Sequence, residues 1–336
     1  MDTATLRRIL EAQRDLYLLP GDKVLVVVTE SFKNAPIEEV LKRYDRMVVY
    51  IEDAERPGQK YVIGDDVLGW GATVGWIISD ISLSHSVGTE MIKRGMFVIS
   101  NPGMTEDWEY MMDRFALRAC KAYADALEKE IGGDVAGTVH ITSSDGTNLV
   151  LQVPNGNWDK EIGERQGVGT NGLFGEYYTA PYNANGTYVL QPGDFLTNPI
   201  NRVEEKIQLA IVNNTVVKIQ GGPQAETLQK MLESANNPLA FNLGEFAIGV
   251  NPAKPPDVQR SVVAEKLLGG IHIAIGTNAV CLKANCPDLT KFVHGRYNAG
   301  VHIDAIKFGA TVDFIQESSG KRTTLLKEGK LVVMVV

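Results

Sequence analysis

KVLVVV, residues 23–28, decides how the first third of the chain folds. It is an aliphatic run of strand length with no polar position after its lysine. A strand covered on one side alternates apolar with polar, whereas an unbroken run belongs to a strand buried on both faces, as in a parallel sheet between helices. Outward from it the same signature returns at residues 47–52 (MVVYIE), 76–82 (WIISDIS) and 96–100 (MFVIS). Helical spacing lies between and before these runs, at residues 5–17, 37–44 and 87–93. The β-α-β rhythm predicts an α/β N-terminal domain with a parallel sheet.

Residues 106–131 (EDWEYMMDRFALRACKAYADALEKEI) form the longest helical pattern, opened by Asn101-Pro102-Gly103 and stopped by Gly132-Gly133. A domain boundary is placed there, giving domains 1–133 and 134–336. Beyond it short β-type runs dominate, at 138–142, 149–153, 188–191, 207–212 and 216–220, separated by turn signals such as Asp145-Gly146 and Pro192-Gly193. With a helix expected at 225–233, the second domain reads as strand-rich α+β.

The 336 residues carry a formal net charge of -8, and no basic stripe of the kind nucleic-acid binders use is visible. The longest apolar stretch, residues 67–78, is too short to span a bilayer. The three cysteines, Cys120, Cys281 and Cys286, are too few and odd in number for a disulfide framework, which points to a reducing, cytoplasmic setting. Cys281 and Cys286, with His294 near them, lack a second pair to complete a zinc set and read as loop cysteines. The glycine-rich stretch 69–75 lacks the dinucleotide-binding spacing and reads as a loop.

Candidate chemistry lies in the second domain. His302 and Asp304, in VHIDAI, sit two apart in an alternating segment and therefore project from one face of a strand. An imidazole beside a carboxylate in that way is half of a divalent-metal site. His272, in IHIAIG, stands on a second such segment. Glu176 and Glu245 each follow a glycine inside an apolar or aromatic stretch, GLFGEYY and FNLGEFAIG, where a carboxylate is costly to bury without a cation or donors. Glu265 reads either as a ligand or as a helix-surface charge. Ser84-His85-Ser86 offers His85 as a candidate for polarising a substrate, against a plain helix-cap role for its serines.

Four segments in order carry a resemblance: residues 175–181 (GEYYTAP), 244–249 (GEFAIG), Glu265-Lys266 followed by 272–276 (HIAIG), and 302–304 (HID). Together with residues 83–86 and 95–105, they resemble the thermophilic aminopeptidase family of metallopeptidases, of aminopeptidase T and aminopeptidase S type, and its shorter relatives labelled leucyl aminopeptidase. The resemblance implies two divalent cations, zinc, cobalt or manganese, held by Glu176, Glu245, His272, His302 and Asp304, with Glu265 as a further ligand. It implies that Glu245 bridges the ions and helps to deprotonate the attacking water. It also implies a homodimer acting on a small molecule or short peptide in a cleft between the domains. The chain departs from the family at Ala279, where the aminopeptidases carry a catalytic tyrosine, and in the following segment CLKANC.

The 2,5-dihydroxypyridine dioxygenases are a more distant likeness, through the segment containing His85. They use one Fe(II) held by two histidines and an aspartate. Two of those ligands map to His302 and Asp304, and the third falls on Glu245; counterparts of Glu176 and His272 are absent from that group. Three functions are therefore carried forward: a dinuclear metallohydrolase, a mononuclear iron dioxygenase, and a non-catalytic metal-stabilised binding protein.

Overall fold

A computed structural model describes residues 1–53, 61–80, 83–165, 168–197 and 199–333, with the side chains of Ser84 and His85 left out. The chain divides into two compact units. The first comprises Met1–Leu117, Gly163–Phe174 and Lys254–Asp257, and the second comprises Arg118–Ile162, Gly175–Ala253 and Val258–Val336.

The first unit is built on a five-stranded sheet in the order Asp45–Ile51, Lys23–Thr29, Val74–Ser79, Phe97–Pro102, Gly169–Asn171. Every pairing in it is parallel. The aliphatic run opens its central region, with Val24 to Val28 all fully buried. Helices cross between these strands, so the α/β parallel architecture expected from the sequence is the one observed.

The helical pattern at 106–131 is two helices, not one: Asp107–Met111 and Arg114–Ile131. The apolar spacing runs through the break, but Asp113 ends the first helix and starts the second. Its carboxylate accepts the Phe115 backbone N–H at 2.9 Å, and its carbonyl accepts that of Leu117 at 3.0 Å. Asp113 thereby supplies the side-chain acceptor that the start of a helix otherwise lacks.

The second unit is strand-rich, as expected. An eight-stranded antiparallel sheet includes Gly137–Thr142, Asn148–Val153, Asn183–Leu190 and Thr311–Gln316. A seven-stranded antiparallel sheet runs in the order Asn201–Arg202, Phe195–Leu196, His302–Lys307, Ile271–Gly276, Leu243–Gly249, Glu176–Thr179, Asp159–Glu161. One face of this second sheet packs on the first. Trp158 stacks on Tyr177 at 4.9 Å and meets Phe246 and Phe314 edge-on, and the Tyr188 hydroxyl donates to the Ala305 carbonyl. Aromatic edge and stacking contacts of this kind fix the approach of two sheets as well as burying area. The opposite face of the seven-stranded sheet is left for chemistry.

Among the described residues, no helix is long and apolar enough to cross a membrane. All three cysteines are free.

Candidate metal centre

Register places the candidate ligands. In the seven-stranded sheet Ala274 pairs with Asp304 and Gly276 with His302. Glu245 pairs with Ala274, and Ala247 with His272. Gly249 pairs with Glu176, which in turn pairs with Glu161. Paired residues share a face, and so do residues two apart on one strand. Glu161, Glu176, Glu245, His272, His302 and Asp304 therefore project from one side of the sheet. The positions interleaved with them on the central strands, Ala247, Gly249, Ala274 and Gly276, are small, while Tyr178 and Ile306 share the same face.

The glycines before the two glutamates have a backbone cause. Gly175 holds φ +134, which side-chain-bearing residues rarely adopt, and a Cβ there would lie 2.5 Å from the Asn251 Cβ. A Cβ on Gly244 would run into the Thr277 carbonyl oxygen. Each glycine lets its strand approach a neighbour closely, and each carboxylate is carried into the interior as a result.

Glu245 is the centre of the group. Its Oε1 lies 3.5 Å from His272 Nε2 and its Oε2 lies 3.1 Å from His302 Nε2. His302 Nε2 is also 3.3 Å from Asp304 Oδ1, and His272 Nε2 is 3.7 Å from Glu176 Oε2. The donor atoms of Glu176, Glu245 and His272 lie within 4.8 Å of one another, and so do those of Glu245, Cys281 and His302. The structure thus brings four of the residues expected from the sequence, Glu176, Glu245, His272 and His302, into these groups, with Asp304 beside His302 but in neither. It adds Cys281, whose Sγ is 2.9 Å from Glu245 Oε2. Glu265 is buried beside the group, with its carboxylate 3.2 Å from Lys266 Nζ, and it enters neither donor set. The His85 side chain lies outside the described residues.

A supporting layer orients these side chains. His302 Nδ1–H donates to the Thr277 carbonyl at 2.9 Å, which turns Nε2 toward Glu245 and Asp304. The Thr197 hydroxyl donates to Asp304 Oδ2 at 3.1 Å and accepts the Asp304 backbone N–H at 2.8 Å. Lys266, 1% exposed, places Nζ 2.6 Å from Glu176 Oε1, 2.7 Å from Glu161 Oε2 and 3.2 Å from Glu265 Oε1. Lys266 entered the sequence reading only as part of the Glu265-Lys266 segment, with no role of its own, and Thr197 was not singled out. Lys266 follows Glu265 in the chain, and a Glu-Lys pair reads as solvated surface unless the strand register is known.

Electrostatics follow from this burial. Burial disfavours charge on Glu245, yet the histidines on either side overcome it and hold its carboxyl well below the usual range. Burial pushes Glu176 well up against the pull of Lys266. Burial likewise lifts Glu265 to about 7. Burial opposes protonation of His272, but Glu245 and Glu176 raise it to about 9, and Asp304 and Glu245 likewise raise His302 well above its usual value against the same burial. Tyr178 shares the ligand face two residues from Glu176, and burial pushes its phenol well up, with Asp159, Cys281, Glu161 and Glu176 adding.

The donor set fits divalent cations. Glu176 Oε2 and His272 Nδ1 are buried with no hydrogen-bond partner among the described residues, although most buried polar atoms have one. Imidazole and carboxylate donors in this proportion suit zinc, manganese, cobalt or iron.

A family model for NicX, 2,5-dihydroxypyridine 5,6-dioxygenase, matches residues 103–257. Those residues contain Glu176 and Glu245 but neither histidine of the cluster. Among solved structures, a 2,5-dihydroxypyridine dioxygenase from Pseudomonas putida is similar at 17% identity, covering 99% of this chain and 98% of that one with a TM-score of 0.72. AmpT, an aminopeptidase T from Thermus thermophilus, is similar at 18% identity, covering 98% of this chain and 99% of that one with a TM-score of 0.66. At these identities the likeness is one of fold. No curated protein sequence matches the chain. The chain is similar both to the dioxygenase and to the aminopeptidase, the two resemblances its motifs carry.

Proposed function

We propose that this protein is a metal-dependent hydrolase of the aminopeptidase type, with a dinuclear divalent site that serves cleavage of an amide or peptide bond. One observation carries the reading: the two oxygens of Glu245 each face a different histidine. That is the arrangement a bridging carboxylate needs. In this reading Glu176 and His272 hold one ion, His302 and Asp304 hold the other, and Glu245 is shared. Two such cations would polarise a substrate carbonyl and make water acidic enough to attack at neutral pH.

The chain's own residues have separate tasks. Lys266 keeps Glu176 oriented, Thr197 keeps Asp304 oriented, and the Thr277 carbonyl fixes the His302 tautomer. Glu245, the shared carboxylate, would hold the two ions together and offset part of their charge. Glu265, with its carboxyl lifted to about 7, is matched to holding a proton near neutrality. The buried, small-residue floor formed by Ala247 and Ala274 keeps bulk water from beneath the group.

A second reading is favoured by the family match over residues 103–257: a ring-cleaving dioxygenase using one Fe(II), held by His302, Asp304 and Glu245. Metal counting on protein purified without chelators separates the two. About two zinc, manganese or cobalt ions per chain, with hydrolysis of an aminoacyl anilide, is the expected result. About one iron per chain, with oxygen uptake on a dihydroxylated pyridine and no hydrolysis, replaces the first reading with the second. A metal-free protein inert in both assays overturns both.

A further inference from the structure

Cys281 was set aside in the sequence because its turn carries no second cysteine pair. Its thiol nonetheless points into the ligand group. Sγ lies 2.9 Å from Glu245 Oε2, the same oxygen that lies 3.1 Å from His302 Nε2. His302 Nε2 also lies 3.3 Å from Asp304 Oδ1. One sulfur, one nitrogen and one carboxylate oxygen, from Cys281, His302 and Glu245, thus lie within 4.8 Å of one another on the His302 side, three of the four donors of a tetrahedral set.

The thiol is held in place. The Cys281 backbone N–H donates to the Asn278 carbonyl at 3.0 Å, and its carbonyl accepts the Asn157 amide at 3.0 Å. Ala180, Leu282 and Phe292 pack around it, and the residue is 6% exposed. Cys286, five residues on, is turned away and donates instead to the Asn155 carbonyl at 3.4 Å. The two cysteines share a segment, and only one faces the site.

We infer that Cys281 is a thiolate ligand of the His302-side cation, alongside His302, Asp304 and Glu245, and that it biases this position toward thiophilic ions such as zinc. This rests on the His302-side ion of the proposed function, which the hydrolase and dioxygenase readings share. On binding, the S–H bond gives its proton to solvent as the metal–sulfur bond forms, and no oxidation state changes. Soft sulfur favours zinc, cobalt or iron over manganese and magnesium. A sulfur ligand there would leave fewer positions for water or substrate on a His302-side ion than on a His272-side one.

The test is optical. The purified protein, stripped of metal and loaded with cobalt(II), is expected to show an intense near-ultraviolet thiolate-to-cobalt band. That band is expected to vanish in Cys281→Ser and to survive in Cys286→Ser. Visible ligand-field bands in the same spectra report whether cobalt is bound. Bound cobalt with no thiolate band in the unmutated protein overturns the Cys281 assignment and leaves the proposed metal centre standing. A thiolate band that persists in Cys281→Ser does the same. Failure of the unmutated protein to take up cobalt at all overturns both. Competition between zinc and manganese gives a second measure: the preference for zinc is expected to fall about tenfold or more in Cys281→Ser, and an unchanged preference counts against the assignment.

Discussion

Glu245 presents one carboxylate oxygen to each of two histidines, Oε1 to His272 at 3.5 Å and Oε2 to His302 at 3.1 Å. These histidines stand on neighbouring strands, and Glu245 reaches both from a third, because the sheet runs His302–Lys307, Ile271–Gly276, Leu243–Gly249. A residue shared in this way should affect the whole site when removed. Glu245→Ala is expected to reduce bound metal from about two ions per chain to well under one, whereas Asp304→Asn should remove only the His302-side ion. Elemental analysis of the purified variants decides the matter. Two ions retained in Glu245→Ala would mean that the carboxylate is not shared.

Lys266 is the buried cation beneath the site, facing Glu161, Glu176 and Glu265. Lys266→Met leaves those carboxyls without their counter-charge. Breaking a buried pair from one side costs about 3–5 kcal/mol, so the metal-free variant should unfold at markedly lower urea than the metal-free parent. A cation bound through Glu176 would supply part of the missing charge, so the deficit should shrink when zinc is added. A metal-free variant as stable as its parent would show that Lys266 carries no such role.

The legible part of this site was the part governed by strand parity. His302 and Asp304 alternate with Val301 and Ile303, so their common face followed from spacing alone, as did the separate placing of His272 among isoleucines. Glu176 and Glu245 were marked by the glycines before them, whose backbone roles the structure supplies. Cys281 and Thr197 were not legible. Both sit in turns, where no period says which way a side chain points. Lys266 was hidden differently: its partner Glu161 lies 105 residues away in sequence, on the edge strand of the seven-stranded sheet. The order of the seven strands, which makes neighbours of residues 176, 245 and 272, follows from pairing that no local pattern encodes. The break at Asp113 was missed because Met111 and Met112 continue the apolar spacing up to the residue that interrupts the helix.

Protonation competes with metal. In the metal-free protein burial works against the His272 imidazolium, but Glu245 and Glu176 raise its pKa from 6.5 to about 9. A histidine with a raised folded-state pKa stabilises the fold fully below pH 6.5 and loses that contribution as pH climbs through about 9. Cation binding has the opposite sign, since Nε2 must give up its proton first. Zinc affinity should therefore strengthen steadily from about pH 6.5 to about pH 9 while metal-free stability declines over the same window. Calorimetry in buffers of different ionisation enthalpy should also register proton release on binding. An affinity independent of pH across that window would mean that His272 is already neutral or does not bind the ion.

Gly175 connects backbone conformation to ligand placement. It holds φ +134, and a Cβ there would lie 2.5 Å from the Asn251 Cβ and 3.0 Å from the Lys266 carbonyl oxygen. The segment has little freedom to relax, because its N–H donates to the Glu161 carbonyl at 2.7 Å and its carbonyl accepts the Val250 N–H at 2.8 Å. Gly175→Ala should lose about 1–3 kcal/mol from backbone strain alone, with crowding adding to it. Any shift of the strand moves Glu176, the next residue, so metal on the His272 side should fall with stability. Gly193 is the matched control: its φ is +99, but a Cβ there meets nothing within 4 Å. Gly193→Ala should show the strain cost with metal content intact. Equal metal loss in both variants would attribute the effect to general destabilisation, and full metal retention in Gly175→Ala would show that the strand bends without carrying Glu176 out of place.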